Sequence, residues 1–251
     1  MPLIHQAQRY LRRAIRYPCL IAILILGLLI AVLMCPLKGV LLKRMVAKYW
    51  FQGLLWMLGV RHDIKGVNFD AAGRFFVANH ISWLDIAVIS ASMPICFVSK
   101  SEVRQWPLIG LLAQFVGTIF IKRASRREIK EVNGRIYTTL MLGHSVCVFP
   151  EGTTTRGNSL APFHSSAFQA ALDAKAKVTP ISLKYLDANR VQTDRIAYVN
   201  DMTFMRSLDQ IIVEKSHVAQ VTFLPSIEAQ GMKRGDVSDM SRSMISSSLF
   251  N

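Results

Sequence analysis

The stretch that decides the fold is FVANHISWLD, at residues 76–85. It continues an apolar, β-prone run that begins at Phe75, so the sequence predicts a buried strand ending at Ala78. A helical pattern follows from Ser82, which we predict as the N-cap of that helix. His80 therefore lies on the turn between a strand and a helix.

The spacing of His80 and Asp85 is compatible with a catalytic pair, although so short a motif is weak evidence alone. Residues five apart on one continuous helix would point roughly 140° apart, and a turn between them removes that obstacle. A carboxylate held against one ring nitrogen leaves the other nitrogen free to accept a proton. The pattern also has a purely structural interpretation, because an acid in the first turn stabilises a helix and His80 could be an ordinary loop histidine.

A second motif, VFPEGTTTRG at residues 148–157, again follows a short apolar run that predicts a strand. Two further blocks are GTIFIKR at residues 117–123 and VTPI at residues 178–181. In their order along the chain, the four blocks resemble those of the glycerolipid acyltransferases. This is the family of 1-acylglycerol-3-phosphate acyltransferases and related lysophospholipid acyltransferases. The resemblance covers about residues 75–184.

The resemblance implies an enzyme, an O-acyltransferase that moves a fatty acyl group to the free hydroxyl of a lysophospholipid. The donor would be acyl-CoA or acyl-carrier protein, with no further cofactor and no metal. The acceptor would most often be 1-acyl-sn-glycerol-3-phosphate, giving phosphatidic acid in phospholipid biosynthesis. Two alternatives are an acyltransferase for another lyso-lipid, such as a lyso-ornithine lipid or a lysophosphatidylcholine-like acceptor, and an inactive membrane-binding protein that keeps the fold. If the protein is an active acyltransferase, the resemblance implies that His80 is the general base and that Asp85 orients its ring.

The head-group site is predicted on the second motif. Gly152 would let the backbone approach a polar head group, and Glu151 would accept a hydrogen bond from the acceptor hydroxyl or hold the loop. Phosphatidate-forming members usually carry arginine two residues after this glycine, whereas this chain has Thr154 there and Arg156 later. The predicted substrate-binding residues are Lys122, Arg123, Glu151, Gly152, Thr153 and Arg156. For the first two, a solvated basic patch is the competing interpretation.

Residues 1–62 are predicted to form a membrane anchor. Residues 1–50 carry eight basic residues and no acid, in a chain of formal net charge +14. The uncharged run 17–37 would be about 31 Å long as a helix, enough to cross a hydrocarbon core. A second apolar helix at about 45–60 is too short to span easily. The sequence leaves open a single spanning helix or a helical hairpin in one leaflet.

This charge beside an apolar run favours an anionic bilayer as partner, and no nucleic-acid-binding motif is visible. We expect a membrane location, at the bacterial inner membrane with the catalytic domain on the cytoplasmic side. The four cysteines show no metal-ligand spacing and no compact disulfide framework.

Residues 63–251 are predicted to form an α/β catalytic domain, a mixed sheet covered by helices, because strand and helix patterns alternate. The predicted strands are Arg74–Ala78, Ile95–Val98, Thr118–Ile121, Ser145–Phe149, Val178–Lys184, Ile196–Val199 and Gln220–Leu224. The predicted helices are Trp83–Ala91, Leu108–Phe115, Arg126–Leu142, Ser165–Ala174 and Ser207–Ser216. The polar tail 230–251 predicts a weak final helix or a frayed end.

Overall fold

A seven-stranded sheet forms the centre of the protein, in a computed structural model that describes residues 2–66, 72–106, 108–121 and 126–250. The strands are β1 (Val60–Gly66), β2 (Phe75–Ala78), β3 (Cys96–Lys100), β4 (Ile119–Ile121), β5 (Val146–Val148), β6 (Val178–Leu186) and β7 (His217–Phe223). Their order across the sheet is β1-β7-β6-β2-β5-β3-β4. The five strands from β6 to β4 are parallel, and the β6–β7 pair is antiparallel. The predicted mixed α/β fold is confirmed.

Helices cover both faces of the sheet. They are α1 (Pro2–Leu33), α2 (Val40–Leu58), α3 (Leu84–Ser92), α4 (Ile109–Phe115), α5 (Arg126–Met141), α6 (Gln169–Asp173), α7 (Phe204–Val213) and α8 (Arg234–Phe250), with short 3-10 helices at Ser101–Gln105 and Ser165–Phe168. One apolar core lies between the sheet and the helices α1, α2, α3 and α7. A second core lies on the other face, against α5, α6 and α8. The tail thus forms a complete helix, because its residues Val237 and Ile245 are fully buried.

Two elements differ from the sequence prediction. Val60–Gly66 is a strand, although only Val60 in it is buried and the rest has no apolar alternation. It is an edge strand held by parallel pairing with β7 alone. The predicted strand Ile196–Val199 is wrong. Its apolar residues Ile196 and Ala197 are buried in the core, but the N–H of Ala197 donates to Asp194 within a turn rather than to a neighbouring strand.

The N-terminal helices are longer than the two apolar runs that predicted them. Helix α1 begins at Pro2, fifteen residues before the apolar run, because its basic first half packs on α7. Arg13 donates two hydrogen bonds to the carboxylate of Asp209, which lowers the pKa of that carboxyl. Arg16 donates to the carbonyls of Ile212 and Glu214, groups that the end of α7 leaves without a helical partner. The basic end of α1 is therefore fixed to the α/β body.

Helices α1 and α2 also pack against each other as an antiparallel pair. The indole N–H of Trp50 donates to the carbonyl of Ile23 at 2.8 Å. Gly27 makes this approach possible, since a Cβ there would lie 2.8 Å from the indole nitrogen. Helix α1 is long and apolar enough to cross a membrane over Ile4–Leu33. Its outward residues are exposed, with Val32 at 69% and Leu33 at 75%.

Candidate active site

Adjacent parallel strands bring the two sequence motifs together. Strands β2 and β5 pair in parallel, so the residues that follow them emerge at the same edge of the sheet. The backbone N–H of His80 donates to a carboxylate oxygen of Glu151 at 2.7 Å. The backbone N–H of Thr155 donates to the carbonyl of His80 at 2.8 Å. Both backbone groups of the histidine are therefore bonded to the second motif, and the two motifs form one site.

The predicted histidine–aspartate pair is present. Nδ1 of His80 lies 2.8 Å from Oδ2 of Asp85, whose side chain is fully buried. The same oxygen accepts the backbone N–H groups of Ile81 at 2.7 Å and Ser82 at 2.9 Å. Helix α3 begins only at Leu84, and its N-cap position is Trp83, without a side-chain cap. The N-cap position thus lies one residue after the predicted Ser82, although the Ser82 hydroxyl accepts the backbone N–H of Leu84 at 3.4 Å. The carboxylate of Asp85 accepts the backbone donors before the helix.

The other edge of the imidazole faces a large cavity. The ring stacks on Phe149, with ring centroids 4.1 Å apart and planes 14° apart. The side chain is 19% exposed and lines the cavity. Within the described part of the chain, Nε2 of His80 has no hydrogen-bond partner. Stacking and the Nδ1 contact fix the ring, so this nitrogen is placed to take a proton from a group in the cavity.

The cavity has a volume of about 1610 Å³ and joins an apolar region to a polar one. Typical ligand pockets measure about 300–1,000 Å³, so this cavity has room for more than one small ligand. Its polar lining includes residues 152–156. Apolar walls come from the α1–α2 pair, from α3 and from α5, including Leu20, Leu24, Phe51, Leu54, Ile86, Ala87, Val132 and Ile136.

Glu151 lies beneath the cavity and is not among the residues that line it. It is 3% exposed, and its two carboxylate oxygens accept the backbone N–H groups of His80 and Ala161. Burial raises the pKa of this carboxyl, against the lowering effect of the two hydrogen bonds. Of the two roles expected for Glu151, holding the loop is the one that these contacts support.

The loop after Glu151 forms the polar end of the cavity. Gly152 has φ 71°, a left-handed conformation that glycine adopts without strain, and Thr153 beside it is exposed. The Thr154 hydroxyl donates to the carbonyl of Tyr198, so it ties this loop to the segment before α7. Arg156 lines the cavity and forms an ion pair with Asp194 at 2.9 Å, with both side chains about half exposed.

Lys122 and Arg123, the other predicted head-group residues, lie outside the residues that the structure describes. They follow β4, whose last residue, Ile121, lines the cavity. In the described ranges, no group of three or more His, Cys, Asp or Glu side chains is placed to hold a metal ion.

Several contacts that support the site are not visible in the sequence. Tyr185 on β6 donates its hydroxyl to Oδ1 of Asp85 at 2.7 Å. Asn79 exchanges two hydrogen bonds with the backbone of Leu183, which continues the β2–β6 ladder after β2 has ended. Arg242 on α8 donates to the carbonyls of Leu160 and Ala161, and so fixes the loop that bonds Glu151. Each contact joins residues at least 81 positions apart, a distance at which no sequence motif is visible.

The chain is similar in sequence to known acyltransferases. A family model described as Acyltransferase matches residues 64–184. The chain is 40% identical over 152 residues to a 1-acyl-sn-glycerol-3-phosphate acyltransferase of Neisseria gonorrhoeae, a match covering 61% of this chain and 59% of that protein. It is 31% identical over 209 residues to a lyso-ornithine lipid O-acyltransferase of Pseudomonas aeruginosa, covering 83% of this chain and 80% of that protein.

The fold is also similar to a solved structure. The crystal structure of the 1-acyl-sn-glycerophosphate acyltransferase from Thermotoga maritima superposes with a TM-score of 0.68 and 16% identity, over 98% of each chain. The similarity includes both N-terminal helices, because the match covers nearly the whole chain.

Proposed function

Because the chain belongs to the acyltransferase family of the 1-acyl-sn-glycerol-3-phosphate and lyso-ornithine lipid acyltransferases, we propose that it transfers a fatty acyl group from a thioester to the hydroxyl of a lysophospholipid. The observation that carries this proposal is the His80–Asp85 pair facing a cavity with one apolar and one polar region. The apolar walls suit a fatty acyl chain, and the polar loop suits a lipid head group.

The reaction follows from the position of the imidazole. Nε2 of His80 takes the proton of the acceptor hydroxyl as its oxygen attacks the thioester carbonyl carbon. The tetrahedral intermediate then collapses, the C–S bond breaks, and the sulfur leaves with the proton held by the imidazolium. Asp85 stabilises the imidazolium in between. A covalent acyl-enzyme is not needed, and Cys147 is unsuited to form one because burial raises the pKa of its thiol well above the usual range.

For the donor we propose acyl-CoA or an acylated carrier protein. The acceptor we propose first is 1-acyl-sn-glycerol-3-phosphate, with phosphatidic acid as product. A lyso-ornithine lipid is the second candidate, because two features of the loop favour a zwitterionic head group. Thr154, where phosphatidate-forming members usually carry arginine, holds Tyr198 instead, and Arg156 is paired with a carboxylate. Such a pair offers a cation and an anion to a head group that carries both charges.

Release of free thiol from each donor, with and without each lyso-lipid, tests the proposed reaction. We expect thiol release that depends on an acceptor with a free hydroxyl, and a new acylated lipid that mass spectrometry identifies. Thioester hydrolysis that no acceptor accelerates would refute acyl transfer.

Asp194→Asn decides between the two acceptors. The change frees Arg156, so the KM for lysophosphatidate should fall if the phosphate binds there. The KM for a lyso-ornithine lipid should instead rise roughly tenfold or more, since a charge-assisted contact contributes about 1.5–3 kcal/mol. Glu228→Gln, which breaks a distant exposed ion pair with Lys177, is the matched control. Equal KM values in Asp194→Asn and the control, for both acceptors, would show that the Arg156–Asp194 pair does not bind the head group.

For the membrane we propose that α1 and α2 enter one leaflet as a helical hairpin, with the α/β body on the cytoplasmic side of a bacterial inner membrane. The division into an anchor at residues 1–62 and a catalytic domain at residues 63–251 is part of this proposal. Arg16 of α1 and Leu58 of α2 lie at the same end of the pair, where both are held against the body. The connection between the helices, which contains the exposed Cys35, lies at the far end.

Labelling of Cys35 separates the hairpin from a spanning helix. In a Cys19→Ser background, the buried thiols of Cys96 and Cys147 leave Cys35 as the exposed cysteine. A membrane-impermeant maleimide should reach it from neither side of the membrane until detergent is added. Ser243→Cys, on an exposed position of α8, should react from the cytoplasmic side and serves as control. Labelling of Cys35 from the side opposite to that of Ser243→Cys would show a spanning helix.

A further inference from the structure

A buried phenol lies behind the histidine–aspartate pair. Tyr185, on β6, is 1% exposed, and its hydroxyl lies 2.7 Å from Oδ1 of Asp85. No other residue that the structure describes donates a hydrogen bond to this oxygen. The two oxygens of Asp85 thus have different partners, with three donors on Oδ2 and the phenol on Oδ1.

The direction of this hydrogen bond is fixed by the chemistry of the two groups. Burial, together with the nearby charge of Asp85, raises the pKa of Tyr185 well above its usual value. The phenol therefore stays protonated at neutral pH, and toward a carboxylate it can act only as donor. The phenol therefore fixes the orientation of the carboxylate through Oδ1, the oxygen that does not contact the imidazole.

Strand β6 supports both ends of the first motif. Asn79, at the beginning of the motif, is paired with the backbone of Leu183. Tyr185 lies two residues further along β6, so its side chain points to the same face of the sheet as that of Leu183, into the core that α3 covers. From there it reaches Asp85 in the first turn of α3. One strand therefore sets the positions of the two residues that flank the catalytic turn.

We propose that Tyr185 is a positioning residue for the acyl transfer, which fixes the carboxylate of Asp85 so that Oδ2 holds the Nδ1 proton of His80. This inference rests on the proposed function for its kinetic consequences. A carboxylate that loses its second anchor can rotate, and the imidazole that depends on it then spends less time aimed at the acceptor hydroxyl. Negative charge also concentrates on Oδ2, which favours the protonated imidazole that cannot act as base.

Tyr185→Phe tests the inference with little change of volume. We expect kcat to fall about tenfold with KM within about twofold, because the contact acts on the chemical step rather than on binding. The acid limb of the pH profile of kcat should move to higher pH. The other ionisable groups around the pair are unchanged in this variant, namely Glu151 and Cys147 below it and Arg156 with Asp194 at the cavity.

Thr179→Val is the matched control, since it removes a hydroxyl hydrogen bond of 2.8 Å to Ser226 from a fully buried position on the same strand. It should leave kcat and the acid limb within about twofold of the parent protein. A kcat and an acid limb in Tyr185→Phe that match those of Thr179→Val would overturn the inference.

A spectroscopic measurement decides the inference even if the proposed reaction fails. The Nδ1 proton of His80, hydrogen-bonded to a carboxylate, should give a downfield proton resonance that disappears in His80→Ala. We expect this resonance to shift or broaden in Tyr185→Phe and to stay in place in Thr179→Val, with no substrate present. An unchanged resonance in Tyr185→Phe would contradict the positioning role, whereas an inactive parent protein would contradict only the proposed reaction.

Discussion

His80→Ala should reduce kcat/KM for acyl transfer by at least about 10⁴-fold, with the fold retained. General-base catalysis alone contributes about 10²–10⁴-fold, and removal of a residue that acts as part of a unit costs more. Glu151 does not take over the role, because it is turned away from the cavity toward two backbone N–H groups. Initial rates with purified protein, at saturating thioester and varied lyso-lipid, measure the loss.

The fold should survive His80→Ala because most hydrogen bonds around residue 80 remain. Without the imidazole, the buried carboxylate of Asp85 still accepts hydrogen bonds from Ile81, Ser82 and Tyr185. The backbone of residue 80 keeps its bonds to Glu151 and Thr155. Thermal unfolding should therefore show a transition close to that of the parent protein.

His144→Ala is the appropriate control for loss of a histidine. His144 precedes β5, at the opposite edge of the sheet from His80. Its removal should leave the acyl transfer rate within about twofold. A His80→Ala protein that is folded and keeps more than a tenth of the parent activity would contradict a base mechanism.

The sequence predicted the parts of the site that lie on single motifs. A strand followed by a turn and a helix was enough to place His80 against Asp85, because the contact spans five residues. The prediction that both motifs share one site came from the family resemblance, and the physical reason is the parallel pairing of β2 with β5. Apolar periodicity also predicted most strands near the site.

The parts that sequence reasoning missed depend on long-range packing. Tyr185 looks like an ordinary strand residue until β6 is placed beside β2. The strand Val60–Gly66 lies at the edge of the sheet, where a mostly polar surface replaces the apolar pattern that identifies inner strands. The segment Ile196–Val199 has strand-like composition, but its Tyr198 N–H donates to the carbonyl of Ile81 in the catalytic turn. Its apolar residues are buried in the core, but the segment does not pair as a strand.

Glu151 and Asp85 are both buried, and their different partners give them different roles. Glu151 bonds backbone groups of the catalytic turn and of the loop 160–161, so it holds the structure around the base. Asp85 contacts the ring itself. Arg242 extends the first network to α8, beyond the residues 64–184 that the family model matches. The C-terminal helix thus contributes to the shape of the site although it supplies no group to the reaction.

Asp85→Asn should reduce kcat by about 10²–10⁴-fold, less than the loss in His80→Ala. An amide has one acceptor oxygen and one donor nitrogen, and the surroundings of Asp85 select their places. Two backbone N–H groups face the position of Oδ2, so the amide oxygen should occupy it and still accept from Nδ1 of His80. The amide nitrogen then faces the hydroxyl of Tyr185, which can turn to accept.

This arrangement keeps the ring orientation and its tautomer and removes only the charge that stabilises the imidazolium. In the serine-protease case, where the same change gives the wrong tautomer, the loss in kcat is about 10⁴-fold, so a smaller loss is expected here. Asp85→Ala is the informative comparison. It leaves the N–H groups of Ile81 and Ser82 and the hydroxyl of Tyr185 buried without an acceptor, at about 1–3 kcal/mol each, and should lower the stability of the protein markedly. A folded Asp85→Asn protein with parent-like kcat would show that the carboxylate charge has no part in the reaction.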